Sequence, residues 1–494
     1  MKTIYNSALL IVLVFVLHSC KLDEHVYSSA YSETFYKTAS DAEKAIIAVY
    51  GPLADMYAGP AATIVADFSD DQTYPRGVVG RNTLTLFSYD PFFTAQRSIG
   101  RLNESPQQIW TSSYSGIEKA NWVIAKVPGA DMDAARKKQI IGEAYFLRAF
   151  YHWMVTKNFG DAPVKIKPSI TLEDAYVAKS AKADIYKQIY SDLDQAAAAG
   201  LPSYPAVDKG RPAKEVVDAL YAKAALYNED WAKALQKAQA VITSGKYALM
   251  PDVRDVYKYD KEDAARVENM FAFEADPISP GKQHQLTGLC GPPGSAGPEY
   301  GRTTFGSMFA YQAFFNSFNP ADKRRLLLDT VYVDKSGKTV AQKNITPITT
   351  DGVLIKKYQD PISTIGVIPN IPILRLADMY LIAAEAEAHL NGASITAYGY
   401  INVIRNRAGL PNLTAGLGKD AFIDAVLQER AWEFFAEGDR WYDLTRTGKF
   451  LTVIPKAVNS VYPVRTVLAK HKYFPIPQDE INANPKLVQN PDWK

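Results

Sequence analysis

Three glutamates near the C-terminus have the spacing that acid–base chemistry needs. Glu429, Glu433 and Glu437 recur at every fourth residue, which places their side chains on one face of a predicted helix. Two carboxylates that face one bond act as general acid and as nucleophile or base in glycoside hydrolases. Three arginines lie nearby in the sequence: Arg430, Arg440 and Arg446. Their positive charges favour ion pairs with the glutamates over a catalytic role for those glutamates. We therefore expect the glutamates to hold the terminal helix in place.

Other patterns that support catalysis or metal binding are incomplete. The six His residues form no His-Glu-x-x-His pattern and no pair spaced as metal ligands on a helix. Gly337-Lys338-Thr339 ends like a phosphate-binding loop, yet Tyr332 occupies the position of its first glycine. No Gly-x-Ser-x-Gly motif occurs. The sequence thus predicts a protein that is not an enzyme and uses no cofactor or metal.

Aromatic residues outside helices are better candidates for ligand binding. The chain has 30 Tyr, and ring faces next to Asp, Asn and Arg suit the C–H faces and hydroxyls of sugars. Such residues concentrate in two irregular stretches, 59–105 and 288–306. The tryptophans within helical patterns are expected in the core instead, and these are Trp110, Trp122, Trp153, Trp231 and Trp432.

Charge and length exclude some classes of protein. The formal net charge is +2 and no run of Lys and Arg occurs, which argues against nucleic acid as a partner. With 494 residues the chain exceeds the size of one compact core. Two cores or one extended layered architecture are therefore expected.

The first residues predict export to the cell surface. Lys2 and the apolar run 8–17 are typical of a signal peptide, which we place at 1–19. The tetrapeptide Leu-His-Ser-Cys that ends at Cys20 resembles a bacterial lipobox, so Cys20 is predicted to anchor a lipidated tether at 20–39. An ordinary secretory peptide with an incidental cysteine is the alternative. No later segment has 18 consecutive apolar residues, so we expect the protein on a membrane and not across it.

Helices are predicted to recur in pairs. Alanines at 219–225 are expected to face those at 232–240, because small side chains let two helices approach closely, as in tetratricopeptide-like repeats. An irregular helical domain without repeat geometry is the alternative. The predicted helices span 40–57, 107–126, 133–158, 183–199, 213–227, 230–244, 374–390, 394–408 and 420–436, the last ending at Gly438.

The mature chain divides into three predicted parts. A helical-repeat part at 40–250 contains the candidate ligand loop 59–105. An irregular, loop-rich lobe at 251–372 interrupts the helices, and 331–337 is predicted to be half of a β-hairpin. A C-terminal helical part at 373–494 closes the scaffold. The predicted fold class is therefore mainly α, with short β-strands in the lobe.

Several motifs, taken in order, resemble the SusD/RagB family of nutrient-binding outer-membrane lipoproteins. The segment 110–121 resembles the family's W-x3-Y-x2-I-x2-AN helix, and 142–149 resembles its GEA-x-FLRA signature. The segment 374–386 resembles LRLADMYLI-x-AEA, and 429–446 matches ER-x2-EF-x2-EG-x-R-x2-DL-x-R. The closing segment 474–490 resembles FPIP-x2-EI-x2-NP-x4-QN. Each motif alone is weak, whereas together they are specific.

This resemblance implies a tetratricopeptide-like scaffold that lies as a lid on a TonB-dependent, SusC-like transporter. Such proteins bind an oligosaccharide, or in some members a peptide, and deliver it to that transporter without catalysis. In the family, ligand contacts come from the two loop stretches. Carried over onto this sequence, the ligand-binding residues are Asp70, Arg76, Phe92, Asn103, Tyr300 and Arg302.

Two other functions stay open on the sequence alone. A secreted glycoside hydrolase would use Glu433 or Asp70 as its acid. A purely structural lid would close the transporter without contacting the nutrient. The loops carry Phe and Tyr where family members that bind starch-like glucans often have Trp, so the identity of the sugar also stays open.

Overall fold

The computed structural model describes nine stretches of the chain. They are residues 35–77, 81–94, 104–276, 278–279, 282–293, 298–300, 304–345, 351–362 and 369–494. Cys20, Asn103 and Arg302 lie outside the described residues, as does the predicted signal peptide.

The N-terminal half is built from helices whose starts are set by capping side chains. Thr38 and Asp41 form a reciprocal capping box at the start of the first helix. Asp133 and Asp230 each cap a later helix by accepting a backbone hydrogen bond. In chain order the helices are α1 (Ala39–Tyr57), α2 (Ala61–Asp67), α3 (Arg81–Leu86), α4 (Pro91–Thr94), α5 (Pro106–Lys126), α6 (Ala134–Phe159), α7 (Leu172–Ala175), α8 (Lys182–Ala197), α9 (Lys214–Tyr227) and α10 (Trp231–Thr243).

The long helices pack on their neighbours in sequence, as a helical repeat requires. α5 packs on α6, α6 on α8, and α9 on α10. Small residues line the last contact, because Ala222 of α9 and Ala234 and Ala238 of α10 are buried. The prediction that Ala232 and Ala240 also face α9 is wrong, since both are exposed on the outer side of α10. The mainly α, helical-repeat fold class is confirmed.

The stretch 59–105 is more helical than predicted. Where loops and short strands were expected, it contains α2, α3 and α4 besides the short strand β1 (Thr73–Pro75). All seven residues of α2 are buried, so its sequence lacks the alternating polar face by which helices are recognised.

Short strands pair in twos in the irregular lobe. After α11 (Glu262–Ala265) come β2 (Asn269–Phe273), α12 (Leu286–Cys290), β3 (Met308–Ala310), α13 (Gln312–Ser317), β4 (Leu328–Asp329), β5 (Val331–Val333), β6 (Thr339–Ala341), β7 (Leu354–Ile355) and β8 (Ile371–Arg375). β1 pairs with β3, β2 with β8, β4 with β7 and β5 with β6. The antiparallel β5–β6 pair confirms the predicted hairpin.

The C-terminal part returns to helices and closes the scaffold. Its elements are α14 (Leu376–Asn391), α15 (Ile395–Arg407), α16 (Lys419–Glu433), α17 (Arg440–Arg446), α18 (Phe450–Val453) and α19 (Gln478–Ala483). α14 packs on both α10 and α15 and so joins the two helical blocks. The prediction that the helix from 420 runs on to Gly438 is wrong: α16 ends at Glu433, and Ala436 adopts a positive φ of 58°. Glu437 therefore leaves the helix.

Two hydrophobic cores support the fold, as the length of the chain requires. The larger one runs from α1 through the helical pairs and the lobe to Trp493. The smaller one lies between α14, α15 and α16, around Ile401 and Phe422. Within the described residues, none of the helices is both long and apolar enough to span a bilayer.

Candidate functional site

A short antiparallel sheet joins the first predicted ligand stretch to the residues that directly follow the second. β1 pairs with β3, with Tyr74 opposite Phe309. Just beyond β1, the backbone N–H of Arg76 donates to the carbonyl of Ser307 over 3.1 Å. This pairing brings parts of the chain that are far apart in sequence onto one surface.

Arg76 extends this contact to an exposed ring. Its Nη1 donates to the carbonyl of Phe305 over 3.3 Å, and the Phe305 side chain is 40% exposed. Burial, and then the charge of Arg81, lower the pKa of Arg76, but a guanidinium remains charged at neutral pH. Arg81 itself is buried in a bidentate ion pair with Glu104, with N–O distances of 2.7 and 2.8 Å. Arg76 is therefore the more accessible of these two arginines.

Glycines allow the Phe305 ring to lie against the backbone. A Cβ on Gly288 would be 2.4 Å from Cε2 of the ring, so any larger residue would displace it. The N–H of Phe305 donates to the carbonyl of Gly288 over 2.7 Å. Gly288 thus leaves room for an aromatic ring. Phe305 lies within the predicted stretch 288–306, but the sequence did not distinguish it from its neighbours.

Two residues from later in the chain lie close to β1 and the residues that follow it. Val461 Cγ1 lies 3.7 Å from where a Cβ on Gly77 would be. The exposed Asp351 carboxylate accepts a hydrogen bond from the backbone of Ser460 over 3.2 Å. Sequence reasoning missed Asp351 and Val461, because neither lies in an aromatic stretch. The Arg76–Phe305 surface, as we call it, consists of Arg76, Gly77, Phe305, Asp351 and Val461.

The Arg76–Phe305 surface has the chemistry that sugar recognition needs. The flat ring of Phe305 matches the C–H face of a sugar, and Val461 extends the apolar area. The Arg76 guanidinium donates hydrogen bonds, whereas the Asp351 carboxylate accepts them. A hydroxyl both donates and accepts, so this combination suits a polyhydroxy ligand.

Asp70 lies in the interior and shapes the turn that leads into β1. Its Oδ1 accepts from the backbone N–H groups of Gln72 and Thr73 over 2.8 and 2.9 Å. Burial, and then the nearby charges of Asp67 and Asp71, raise the pKa of Asp70 well above its usual value. The Asp70 side chain is fully buried, so in this conformation it contacts the turn and not the surface.

Tyr300 and Phe92 lie in contrasting environments. Tyr300 is 1% exposed, and burial raises the pKa of its hydroxyl. Phe92 is 68% exposed on α4, which packs against α19 and is therefore positioned by a different element from Arg76. Of the six carried-over ligand residues, Arg76 and Phe92 are open to solvent, Asp70 and Tyr300 are buried, and Asn103 and Arg302 lie outside the described residues.

The C-terminal glutamates form a buried ion-pair network. Glu433 contacts Arg375 at 2.9 Å and Arg407 at 2.5 Å, and Glu437 contacts Lys357 at 2.6 Å. These partners are far away in sequence, so the predicted pairing with nearby arginines is wrong in detail. Those arginines pair elsewhere: Arg430 with Asp378 and Asp443, Arg440 with Asp71, and Arg446 with Glu385 and Asp443.

This network is unsuited to acid catalysis. Burial alone would raise the pKa of Glu433, but Arg407, Arg375 and Arg324 outweigh it and hold that pKa well below its usual value. A general acid must be protonated before it reacts, whereas Glu433 is held ionised. In the part of the chain that the structure describes, no cluster of three or more His, Cys, Asp or Glu could hold a metal ion.

Two family models match the chain in separate segments. One, described as the SusD family, matches residues 328–493. The other, described as starch-binding and associating with the outer membrane, matches residues 72–226. Together the two segments contain both β1 and the C-terminal ion-pair network.

Proteins from other bacteria resemble the chain over most of its length. The SusD-like protein P25 of Formosa agariphila is 26% identical over 99% of this chain and 98% of its own length. The starch-binding protein SusD of Bacteroides thetaiotaomicron is 26% identical over 76% of this chain and 77% of its own.

A solved structure shares the fold. Surface glycan-binding protein A of Bacteroides thetaiotaomicron, in complex with laminarihexaose, superposes with a TM-score of 0.74 at 23% identity. The superposition covers 92% of this chain and 100% of that protein. The helical scaffold and its lobe are therefore shared with a protein of known structure.

Proposed function

Since this chain belongs to the SusD family, we propose that it is a non-catalytic glycan-binding protein whose ligand contacts the Arg76–Phe305 surface. One observation carries this proposal: the hydrogen bond from Arg76 to Phe305 joins the two stretches from which the ligand residues were predicted. Phe92 is exposed and stays a predicted ligand residue.

The proposed ligand is an oligosaccharide. One relative is named as a starch-binding protein, and one structural neighbour holds laminarihexaose. A ring face, a guanidinium and a carboxylate serve α- and β-linked glucans alike, because both present C–H faces and hydroxyls.

The proposed setting is the outer face of the outer membrane. The description of one matching family model supports association with that membrane. We further propose that a lipid on Cys20 anchors the chain, and that the glycan passes to a SusC-like, TonB-dependent transporter. Copurification of such a transporter with the anchored chain would test the partnership, and a Cys20→Ala variant that stays in the membrane fraction would contradict the anchor.

Removal of the exposed ring tests the glycan site. In Phe305→Ala, the affinity for the glycan that the wild type binds is expected to fall roughly tenfold, which corresponds to about 1.4 kcal/mol. Isothermal titration calorimetry with laminarihexaose and maltohexaose, followed by a wider panel of oligosaccharides, measures this loss. Ile395→Ala is a matched control, because Ile395 is an apolar side chain 93% exposed on α15.

Two outcomes would contradict the proposal. Equal affinity of wild type and Phe305→Ala for every bound sugar would place the site elsewhere. Release of new reducing ends during the incubation would show catalysis, which the ionised state of Glu433 argues against.

A further inference from the structure

A second groove lies between the loop that precedes α9 and strand β2. It has a volume of about 290 Å³, close to the lower limit for pockets that bind small ligands. It shares no residue with the Arg76–Phe305 surface. Its walls differ in character: one is aromatic and the other carries hydrogen-bonding groups.

The aromatic wall is a fixed pair of stacked rings. Tyr204 stacks on Tyr247 with ring centroids 4.6 Å apart and planes inclined by 23°. Tyr247 is buried, whereas Tyr204 is only partly so and lines the groove. The backbone N–H of Tyr204 donates to Glu215 Oε2 over 3.2 Å, which holds this part of the loop. Tyr204 therefore presents its ring without having to be ordered by a ligand.

The opposite wall of the groove is formed by an arginine–glutamate ion pair, whose position is fixed by a neighbouring amide side chain. Arg266 Nη1 donates to Glu274 Oε1 over 2.8 Å, and its Nη2 donates to Oε2 of the same group. Asn370 Nδ2 also donates to Glu274 Oε2, over 2.9 Å. Both charged side chains remain about one-fifth to one-quarter exposed, so both still offer hydrogen-bonding capacity to the groove.

The side-chain oxygen of Asn269 is a hydrogen-bond acceptor to which none of the described residues donates. Its Nδ2 donates to the carbonyl of Val256 over 3.2 Å, but its Oδ1 is buried and accepts no hydrogen bond from the residues that the structure describes. A buried acceptor without a donor is costly. Because Oδ1 exposes almost no surface in this conformation, a ligand hydroxyl reaches it only when the Asn269 side chain turns towards the groove.

The charges that line the groove are already neutralised by protein partners. Lys209 pairs with Asp263, Arg266 with Glu274, and Arg211 with Glu143 at 2.7 Å. An anionic ligand would have to compete with these carboxylates, whereas a neutral ligand rich in hydroxyls can add hydrogen bonds without disrupting them.

We propose that this groove is a second carbohydrate-binding site, in which a neutral sugar ring packs on Tyr204 and donates hydroxyl hydrogen bonds to Asn269 and Glu274. This site is independent of the Arg76–Phe305 surface and does not require that surface to bind anything. Two sites on one chain would hold separate parts of a long glycan and raise its overall affinity.

Saturation-transfer NMR on the Phe305→Ala protein isolates the second site. The probe is a mixture of neutral oligosaccharides of glucose, galactose, mannose and xylose. Transfer to at least one of them is expected in Phe305→Ala, and a several-fold weaker signal after adding Tyr204→Ala or Asn269→Leu. Tyr190→Ala is the matched control, because Tyr190 also stacks on a second tyrosine, Tyr221, at 4.9 Å, on a different part of the helical scaffold.

Each outcome decides the question. Absence of transfer from Phe305→Ala protein to every sugar would overturn the second site, as would equal transfer with and without Tyr204→Ala and Asn269→Leu. If the Arg76–Phe305 surface binds no sugar, wild type and Phe305→Ala would give the same signals. That result can be distinguished from a failure of the groove. Loss in both Tyr204→Ala and Tyr190→Ala, with Asn269→Leu unchanged, would indicate a folding defect and also count against the groove.

Discussion

His152 lies inside the helical scaffold with both ring nitrogens engaged. Nδ1 is 3.1 Å from the carbonyl of Arg148, and Nε2 is 3.4 Å from the backbone N–H of Lys165, an arrangement that needs a neutral ring with its proton on Nδ1. Burial, and then the positive charge of Arg148, lower the pKa of His152 to about 3. Protonation would therefore place an N–H against the donor of Lys165.

This histidine makes stability depend on pH. Its folded-state pKa lies below the unfolded value of about 6.5, so the unfolded state binds the extra proton between these limits. The contribution of His152 is complete above about pH 6.5 and is lost as the pH falls towards 3. We expect the urea midpoint to fall between pH 7 and pH 5, and to fall less in His152→Gln. Equal falls in the two proteins would contradict the assignment.

Burial also determines which of the predicted ligand residues are accessible to a ligand. Which loops combine aromatic residues, charged residues and glycine could be read from the sequence, because residue type and glycine content are local properties. It could not separate Arg76, which is partly open, from Arg81, which is buried against Glu104. It also missed Asp351 and Tyr204, because their positions depend on parts of the chain that are distant in sequence.

At the scale of elements, close helix packing explains a glycine in one of the family motifs. Gly142 lies on α6, and a Cβ there would be 2.2 Å from the Cβ of Ala199, just beyond α8. Gly399 lies on α15, and a Cβ there would have nothing within 4 Å. The same substitution should therefore have opposite effects at the two positions.

Gly142→Ala is expected to cost about 1–3 kcal/mol, because α6 and the end of α8 must move apart. Gly399→Ala is expected to gain up to about 1 kcal/mol, because alanine loses less backbone entropy in a helix. Urea unfolding of both variants beside the wild type measures the difference. A destabilised Gly399→Ala, or a neutral Gly142→Ala, would contradict the packing described for α6.

Long helices were predictable to within a few residues, whereas short elements were not. α5 and α10 begin and end close to their predicted bounds because polar and apolar residues alternate with helical period, and α6 and α9 do so although most of their residues are buried. α2 lacks such a pattern. β1 has only three residues, and its pairing with β3 depends on tertiary contacts that no local pattern encodes.

For the whole molecule, the C-terminal segment holds the loop that leads to the Arg76–Phe305 surface. Arg440 forms a bidentate ion pair with Asp71, at 2.7 and 3.0 Å. Gln72 Nε2 donates to the carbonyl of Ala431 over 2.6 Å, and Arg465 donates to the carbonyl of Asp70, also over 2.6 Å. The C-terminal motif thus acts on the candidate site by positioning it.

Arg440→Gln tests this coupling. We expect a loss of roughly 2 kcal/mol of stability, since two charge-assisted hydrogen bonds are removed. We also expect faster amide hydrogen exchange at 72–76 than in the wild type, because this segment loses its anchor. Lys187→Gln is the control, as it removes an exposed ion pair on α8. Unchanged exchange at 72–76 would show that the segment is held without Arg440.

The dependence of an N-terminal loop on residues near the end of the chain has a consequence for biogenesis. A ribosome delivers residues 70–77 long before it delivers 431–465, and the contacts between these segments cannot form in between. Pairs of helices that are neighbours in sequence can pack as soon as both have been synthesised. A loop held by contacts with a distant later segment becomes ordered only after that segment has been synthesised. A nascent or truncated chain would thus acquire its scaffold first and its recognition surface last, so binding competence would report that synthesis has been completed.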